Sequence, residues 1–363
     1  MRLWAEISAS AFSSNLAKLK KLIAPASLMQ VVKANAYGHG IEEIVQLALK
    51  NGVNYFGVTS AQEAEQVLKA GNSSFVFCFF EPDDEEETEF LIDRGVAFNL
   101  FSAEALKKVK KAASKLGKQA RVHLKLNTGM NRLGMDLKEL EPMLDAAKNE
   151  KFIKVEGFWT HFATAEIPGS EFVNLQLKIF MEAAETVKKV FPGVKLHAAN
   201  TGGALFYPEA RLDIARIGIG SYGYYPSFNS PRFFDLKPVL KLKAKLIAVR
   251  KLTRGEGVSY GLRWKSPDER FVGIVAAGYA DGIPHTLSGN IKVLYRGKEY
   301  AQVGSICMDQ FAVDFGKIFP QPGDAVEIIY EGQSAEDIAR KAGTITYEVL
   351  VRLGERVKRV ITQ

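Results

Sequence analysis

A chain of 363 residues, 47% of them hydrophobic, is too long for one minimal core and holds enough apolar material for one large barrel plus a smaller domain. Its formal charge of +7 is spread along the whole length with no basic-aromatic patch or binding motif beside it, so no nucleic-acid partner is expected. Cys78 and Cys307, the only cysteines, both lie in apolar surroundings, which excludes a disulfide framework and reads as two core residues in a reducing compartment. The N-terminal Met1-Arg2-Leu3-Trp4-Ala5-Glu6 lacks the apolar stretch of a signal peptide, and no uncharged apolar run is long enough to span a membrane. The expected location is cytoplasmic, with no membrane partner.

In chain order, the first distinctive stretch is Val31-Val32-Lys33-Ala34-Asn35-Ala36-Tyr37-Gly38-His39-Gly40. Leu28 to Val32 reads as a short buried strand, and Gly38-His39-Gly40 as the tight loop that ends it, which places Lys33 at a strand end. A lysine buried there is costly unless it is paired or loses its charge, and a Schiff base to an aldehyde removes that charge. A lysine snorkelling to solvent explains these residues equally well.

Ile41, Ile44, Val45, Leu47 and Ala48 then recur at helical spacing, and Gly52 closes that helix. Strand-like runs follow at residues 55–59, 75–80, 97–101, 121–127, 153–160, 194–200 and 212–217, with helical patterns between most of them. The acidic run from Asp83 to Glu89 reads as the polar start of one helix, and the lysines from Lys107 to Lys118 as the solvated face of another. With the Lys33 strand these make eight strands alternating with helices over about 220 residues, which predicts an α/β fold, an N-terminal (β/α)8 TIM-like barrel. A doubly wound open sheet is the runner-up.

From about Lys237 the text turns strand-rich (240–249, 270–277, 291–295, 311–315 and 325–330), with helices only near 335–342 and 348–353, and predicts a mainly β C-terminal domain. Asn229-Ser230-Pro231-Arg232 has linker composition, so the division falls at residues 1–230 and 231–363. The first ~10 residues are expected to pack with the second domain.

Chemistry in a parallel barrel belongs at the carboxyl ends of its strands. There lie Lys33 and Tyr37; Lys125, followed by Thr128 to Gly134 with Arg132; Thr160-His161; His197 to Gly203 with Asn200 and Thr201; and Arg216-Ile217-Gly218-Ile219-Gly220. Singly, His161 reads as a core histidine, Arg132 as a loop salt bridge and Asn200 as a helix cap. Their joint appearance at successive strand ends is what such roles leave unexplained. Small residues after strands seven and eight admit a phosphate, and a phosphate there with an electrophile at Lys33 points to pyridoxal phosphate as the bridging cofactor.

Val31 to Gly40 also resembles the cofactor-attachment signature of alanine racemases, and the resemblance runs through Asn127 to Gly134, Thr160-His161-Phe162-Ala163, Gly257 to Gly261, Gly278 to Gly282, Cys307-Met308-Asp309-Gln310 and Thr346-Tyr347-Glu348. It implies a homodimer with shared active sites and a small amino-acid substrate. The implied activity is interconversion of L- and D-alanine by two bases on a pyridoxal-phosphate aldimine, supplying D-alanine for peptidoglycan. The alternative is a racemase of the same mechanism preferring lysine, serine or a broad range.

By the same resemblance Lys33 holds the cofactor and is one base, and Tyr260 of the other subunit is the second. Arg216 faces the pyridine nitrogen, His161 packs beside the ring, and Arg132 meets the ring oxygen and the substrate carboxylate. Tyr37, Asn200, Thr201, Gly218, Ile219 and Tyr347 match cofactor-binding positions, and Met308 a substrate contact across the interface. Lys125 matches a lysine that is often carbamylated. No metal is implied. Asn127, Thr201-Gly202-Gly203, His285 and Ser305 depart from the usual pattern, the last two where arginines are common near the substrate entrance.

Overall fold

The computed structural model describes residues 1–71 and 74–363. Strand β1 (Leu3–Ser8) opens the chain and does not enter the first sheet. That sheet holds β2 (Ser27–Val31), β3 (Tyr55–Val58), β4 (Phe75–Cys78), β5 (Ala97–Leu100), β6 (Ala120–Lys125), β7 (Ile153–Trp159), β8 (Lys195–His197) and β9 (Ile214–Ile217). All pairings within it are parallel, each strand beside its chain neighbour except that β2 also pairs with β9. Asp213 N donates to Leu196 O at 3.1 Å and Arg216 N to Ala199 O at 3.0 Å, which joins β8 to β9 and closes the barrel.

β3 and β4 are short apolar runs, as expected where helices cover the outer face, whereas β6, β7 and β8 carry charged or polar residues such as Arg121, Glu156 and His197. Ser60, Asp84 and Ser102 each cap the helix that follows by accepting from the backbone N–H three residues on. The lysine face of helix Ala103–Leu116 is not merely solvated: Lys111 pairs with Glu85, and Lys115 with Glu85 and Glu89, on helix Glu85–Asp93.

The second sheet contains β1, β10 (Leu240–Leu252), β13 (Arg270–Val275), β14 (Lys292–Tyr295), β15 (Lys298–Val303), β16 (Phe311–Gly316), β17 (Ala325–Ile329) and β18 (Lys358–Thr362). A two-stranded ribbon, β11 (Gly257–Val258) with β12 (Trp264–Lys265), stands apart from it. β1 is antiparallel to β10 and parallel to β18, so the first residues of the chain belong to the C-terminal sheet. Helices Ala335–Ala342 and Thr346–Val351 follow β17.

Two expectations need correction. Lys33 does not face a loop that begins at Gly38. β2 stops at Val31, and Lys33 opens a tight turn in which Ala34, Asn35, Ala36 and Tyr37 hold φ of 52 to 54°, continued by Gly38 at 79°. Cys78 is a core residue, but Cys307 is half-exposed, with Ser259 Oγ 3.3 Å from its sulfur.

Candidate active site

A cavity of about 400 Å³ opens at the carboxyl ends of the barrel strands, within the ~300–1,000 Å³ usual for ligand sites. Lys33, Tyr37, Lys125, Arg132, His161, Asn200, Thr201, Arg216, Gly218, Ile219 and Tyr347 all line it, so the structure brings together eleven of the thirteen residues singled out in the sequence. Four of them are cations, and among the described residues no carboxylate lines the cavity. Such a pocket suits a ligand that carries its own negative groups, a phosphate and a carboxylate being the obvious pair.

The turn that presents Lys33 and Tyr37 is expensive, since each non-glycine residue in left-handed backbone costs roughly 1–2 kcal/mol. It persists because its surroundings hold it. Ala34 N donates to Glu63 Oε1 at 2.6 Å, Ile41 N donates to Asn35 Oδ1 at 3.0 Å, and His39 Nδ1 reaches the Ala36 and Tyr37 carbonyls at 3.1 and 2.9 Å. Burial pushes the His39 pKa down to about 4, so its ring is neutral and Nδ1 carries the proton. Burial also lowers the Lys33 pKa, Arg132 lowers it further, and Glu63 opposes both.

Lys125 ends β6 with its Nζ 4.3 Å from the centre of the Trp159 ring. Burial, then the charges of Arg216, Arg132 and Lys33, bring its pKa down to about 7. Trp159 also lies under Arg216, whose Cζ is 4.9 Å from the ring centre. Among the described residues the buried Arg216 guanidinium has no carboxylate partner. Its Nη2 donates to Thr160 O at 3.0 Å, Ala198 O at 2.9 Å and His161 Nδ1 at 3.1 Å, and its Nη1 to His197 Nδ1 at 3.3 Å. Because arginine only donates, both histidines accept at Nδ1 and are neutral, in line with pKa values held well below the ordinary one, chiefly by burial. His197 Nε2 then donates to His123 Nδ1 at 2.8 Å.

At the other end of the cavity Asn200 caps helix Thr201–Phe206 by accepting from Gly203 N at 2.9 Å, and Thr201 Oγ1 accepts from Gly218 N at 3.2 Å. A Cβ on Gly218 would lie 2.6 Å from the Tyr37 hydroxyl, so glycine is what lets tyrosine and backbone approach there. The Ile219 amide makes no hydrogen bond among the described residues. Arg132 stands on a loop that Asn127 organises, its Oδ1 accepting from Gly129 N at 3.2 Å and Asn131 N at 3.0 Å; the amide at this departing position therefore has a structural task.

Tyr260 and Met308 do not line this cavity. They line a separate depression on the second sheet's side with Ser259, Tyr279 and Cys307, and Tyr260 is 77% exposed. Ser259 donates to Ser305 O at 2.7 Å and Ser305 donates to Tyr260 O at 3.0 Å, so the second departing position holds the backbone of Tyr260. His285 lies in a short turn with its ring 6.4 Å from Tyr279. Trp159, Thr59 and Phe79 line the cavity without having been singled out. Trp159 reads as an ordinary strand residue, and only its place at a strand end could have drawn notice.

Two family models match the chain: "Alanine racemase, N-terminal domain" over residues 7–226 and "Alanine racemase, C-terminal domain" over residues 239–361. The chain belongs to the alanine racemase family. It is 34% identical to the alanine racemase of Desulfovibrio desulfuricans, over 99% of this chain and 98% of that one. Among solved structures it resembles the alanine racemase of the D-cycloserine producer Streptomyces lavendulae, with a TM-score of 0.93, 34% identity and coverage of 100% and 97%. It also resembles that of Bartonella henselae, solved with covalently bound pyridoxal phosphate, with a TM-score of 0.86, 28% identity and full coverage of both chains. Alanine racemases are isomerases, and the barrel and strand-rich domain seen here are their architecture. Among the described residues no helix is long and apolar enough to cross a membrane, and no cluster of His, Cys, Asp and Glu is placed to hold a metal.

Proposed function

We propose that the chain is a pyridoxal-phosphate-dependent isomerase interconverting L- and D-alanine, acting as a homodimer in which each barrel site is completed by the partner's second domain. The observation that carries the reading is a cavity without carboxylates among the described residues, in which Lys125, Arg132 and Arg216 surround Lys33, a lysine of lowered pKa. The residues present fit pyridoxal phosphate: Gly218, the free Ile219 amide, Tyr37 and Tyr347 suit the phosphate, and Arg216 can reach the ring nitrogen. The cofactor, when bound, supplies an aldehyde that an amine can join and an electron sink that acidifies the Cα–H of an attached amino acid.

Lys33 would hold the cofactor and, its pKa lowered by burial and by Arg132, would take or return the substrate proton on one face. The Tyr260 hydroxyl would do the same on the other. Arg216, which can only donate, would face the ring nitrogen of the cofactor without protonating it, which would disfavour transamination. His161, neutral, would pack beside the ring, Asn200 and Thr201 would form the phosphate end, and Arg132 would orient the substrate carboxylate, which Met308 of the partner subunit would bound.

Exposure supports the dimer. Tyr260 and Met308, which line one depression on the second domain, are 77% and 53% exposed, and Phe80 and Val351, which line the barrel cavity, are 48% and 40% exposed. Apolar patches of this kind mark surfaces that another subunit covers.

Carbamylation of Lys125 belongs to the same reading, because only an uncharged amine reacts with carbon dioxide and a pKa of about 7 supplies one at neutral pH. The product is an anion that can orient Arg132. With labelled bicarbonate, a carbamate carbon signal should be present at about pH 8, fade by about pH 6 as the free amine is protonated, and be absent in Lys125→Ala. A wild-type spectrum matching that of Lys125→Ala would refute it.

The substrate is tested by chiral analysis after incubating the enzyme with L-alanine, L-serine and L-lysine separately in deuterated water. Deuterated D-alanine should dominate, as the names of the relatives suggest. Dominant D-serine or D-lysine would keep the mechanism and overturn the substrate.

A further inference from the structure

The turn that carries Lys33 and Tyr37 needs external support on both sides, because four consecutive non-glycine residues in left-handed backbone do not hold themselves there. Glu63 supplies it on the side of Ala34. On the other side stands Arg359, from the last strand of the chain. Its Nε donates to Gly38 O at 3.0 Å, its Nη1 to Gly354 O at 2.9 Å and Val357 O at 2.6 Å, and its Nη2 to Leu353 O at 2.6 Å. All four acceptors are main-chain carbonyls, and no salt bridge engages Arg359 among the described residues.

The acceptors show what is being joined. Gly38 closes the Lys33 turn, and Leu353 and Gly354 follow directly on helix Thr346–Val351, which carries Tyr347. Turn and helix meet backbone to backbone, since a Cβ on Gly38 would collide with the Leu350 carbonyl. Inside the cavity the rings of Tyr37 and Tyr347 stand 5.9 Å apart. One guanidinium on the C-terminal sheet thus fixes the barrel turn that offers the lysine against the helix that offers the second tyrosine.

We propose that Arg359 is a positioning residue for the cofactor, clamping the Lys33 turn to the Tyr347 helix so that lysine and both tyrosines are prearranged for a phosphate-bearing aldehyde. This rests on the reading of Lys33, Tyr37 and Tyr347 given above. Lysine cannot replace it, because a single ammonium does not span carbonyls that the planar fork reaches together.

The test is titration of cofactor-free wild type, Arg359→Lys and Arg359→Gln with pyridoxal phosphate, followed by the visible absorbance of the lysine-linked cofactor. Thermal midpoints are taken with and without the cofactor. Arg359→Gln should raise the cofactor Kd about tenfold or more, and Arg359→Lys about threefold, with a smaller gain in midpoint on adding cofactor than in wild type. An arginine that only stabilises the fold would lower both midpoints equally and leave the Kd unchanged, which overturns the inference. If Arg359→Gln does not fold, an unchanged Kd in Arg359→Lys has the same force. Borohydride fixation separates the two levels: no label on Lys33 in wild type overturns the site reading and this inference with it, whereas a labelled wild type with unaltered variants overturns this inference alone.

Discussion

Lys33→Ala should lose racemase activity by ~10⁴-fold or more and show none of the visible absorbance of the lysine-linked cofactor. The substitution removes the attachment point and one of the two bases together. It leaves the anion-binding surroundings in place, because Arg132, Arg216, Thr201 and the Gly218–Ile219 backbone make no hydrogen bond to the Lys33 side chain. Unattached cofactor should therefore still associate, more weakly and without the shifted absorbance. The lowered pKa of Lys33 has a definite sign: the amine becomes a base at a lower pH than an ordinary lysine, so attachment strengthens as pH rises through that value. Turnover retained in Lys33→Ala would end the assignment.

Tyr260→Phe should lower the racemisation rate by ~10²- to 10⁴-fold while leaving cofactor binding unchanged. The hydroxyl is the only group removed, and Tyr260 lies outside the cavity lined by its own chain, with its backbone held by Ser305. The loss should be one-sided. D-alanine should still exchange its Cα hydrogen with solvent through Lys33, and L-alanine should not. Unaltered exchange from L-alanine would show that another group serves that face.

The barrel was legible because most of its strands hold short β-branched or aromatic stretches that alternate with helical patterns, and the polar residues at the strand ends stood out against that background. β1, β15 and β18 were not read as strands. Leu3–Ser8 and Lys358–Thr362 pair with each other across almost the whole chain, a partnership no local pattern encodes. Lys298–Val303 is too polar to catch the eye, although Arg296-Gly297, at φ of 49 and 77°, is a hairpin turn that could have announced it.

The Lys33 turn was misread for a physical reason: Ala34-Asn35-Ala36-Tyr37 carries no glycine, and the groups that bond it and the Gly38 that follows include His39, Glu63 and, furthest along the chain, Arg359. Arg359 lies 321 residues from the carbonyl it holds. Cys307 was misread because apolar neighbours in sequence do not ensure burial at the edge of a surface.

Mixing the two inactive variants tests the proposed two-subunit site most directly. Lys33→Ala and Tyr260→Phe chains, unfolded and refolded together, should form hybrid dimers in which one site has lost both bases and the other has regained both. Random pairing then restores about a quarter of wild-type activity. A mixture as inactive as either variant alone, with hybrid formation verified by mass, would contradict the shared site.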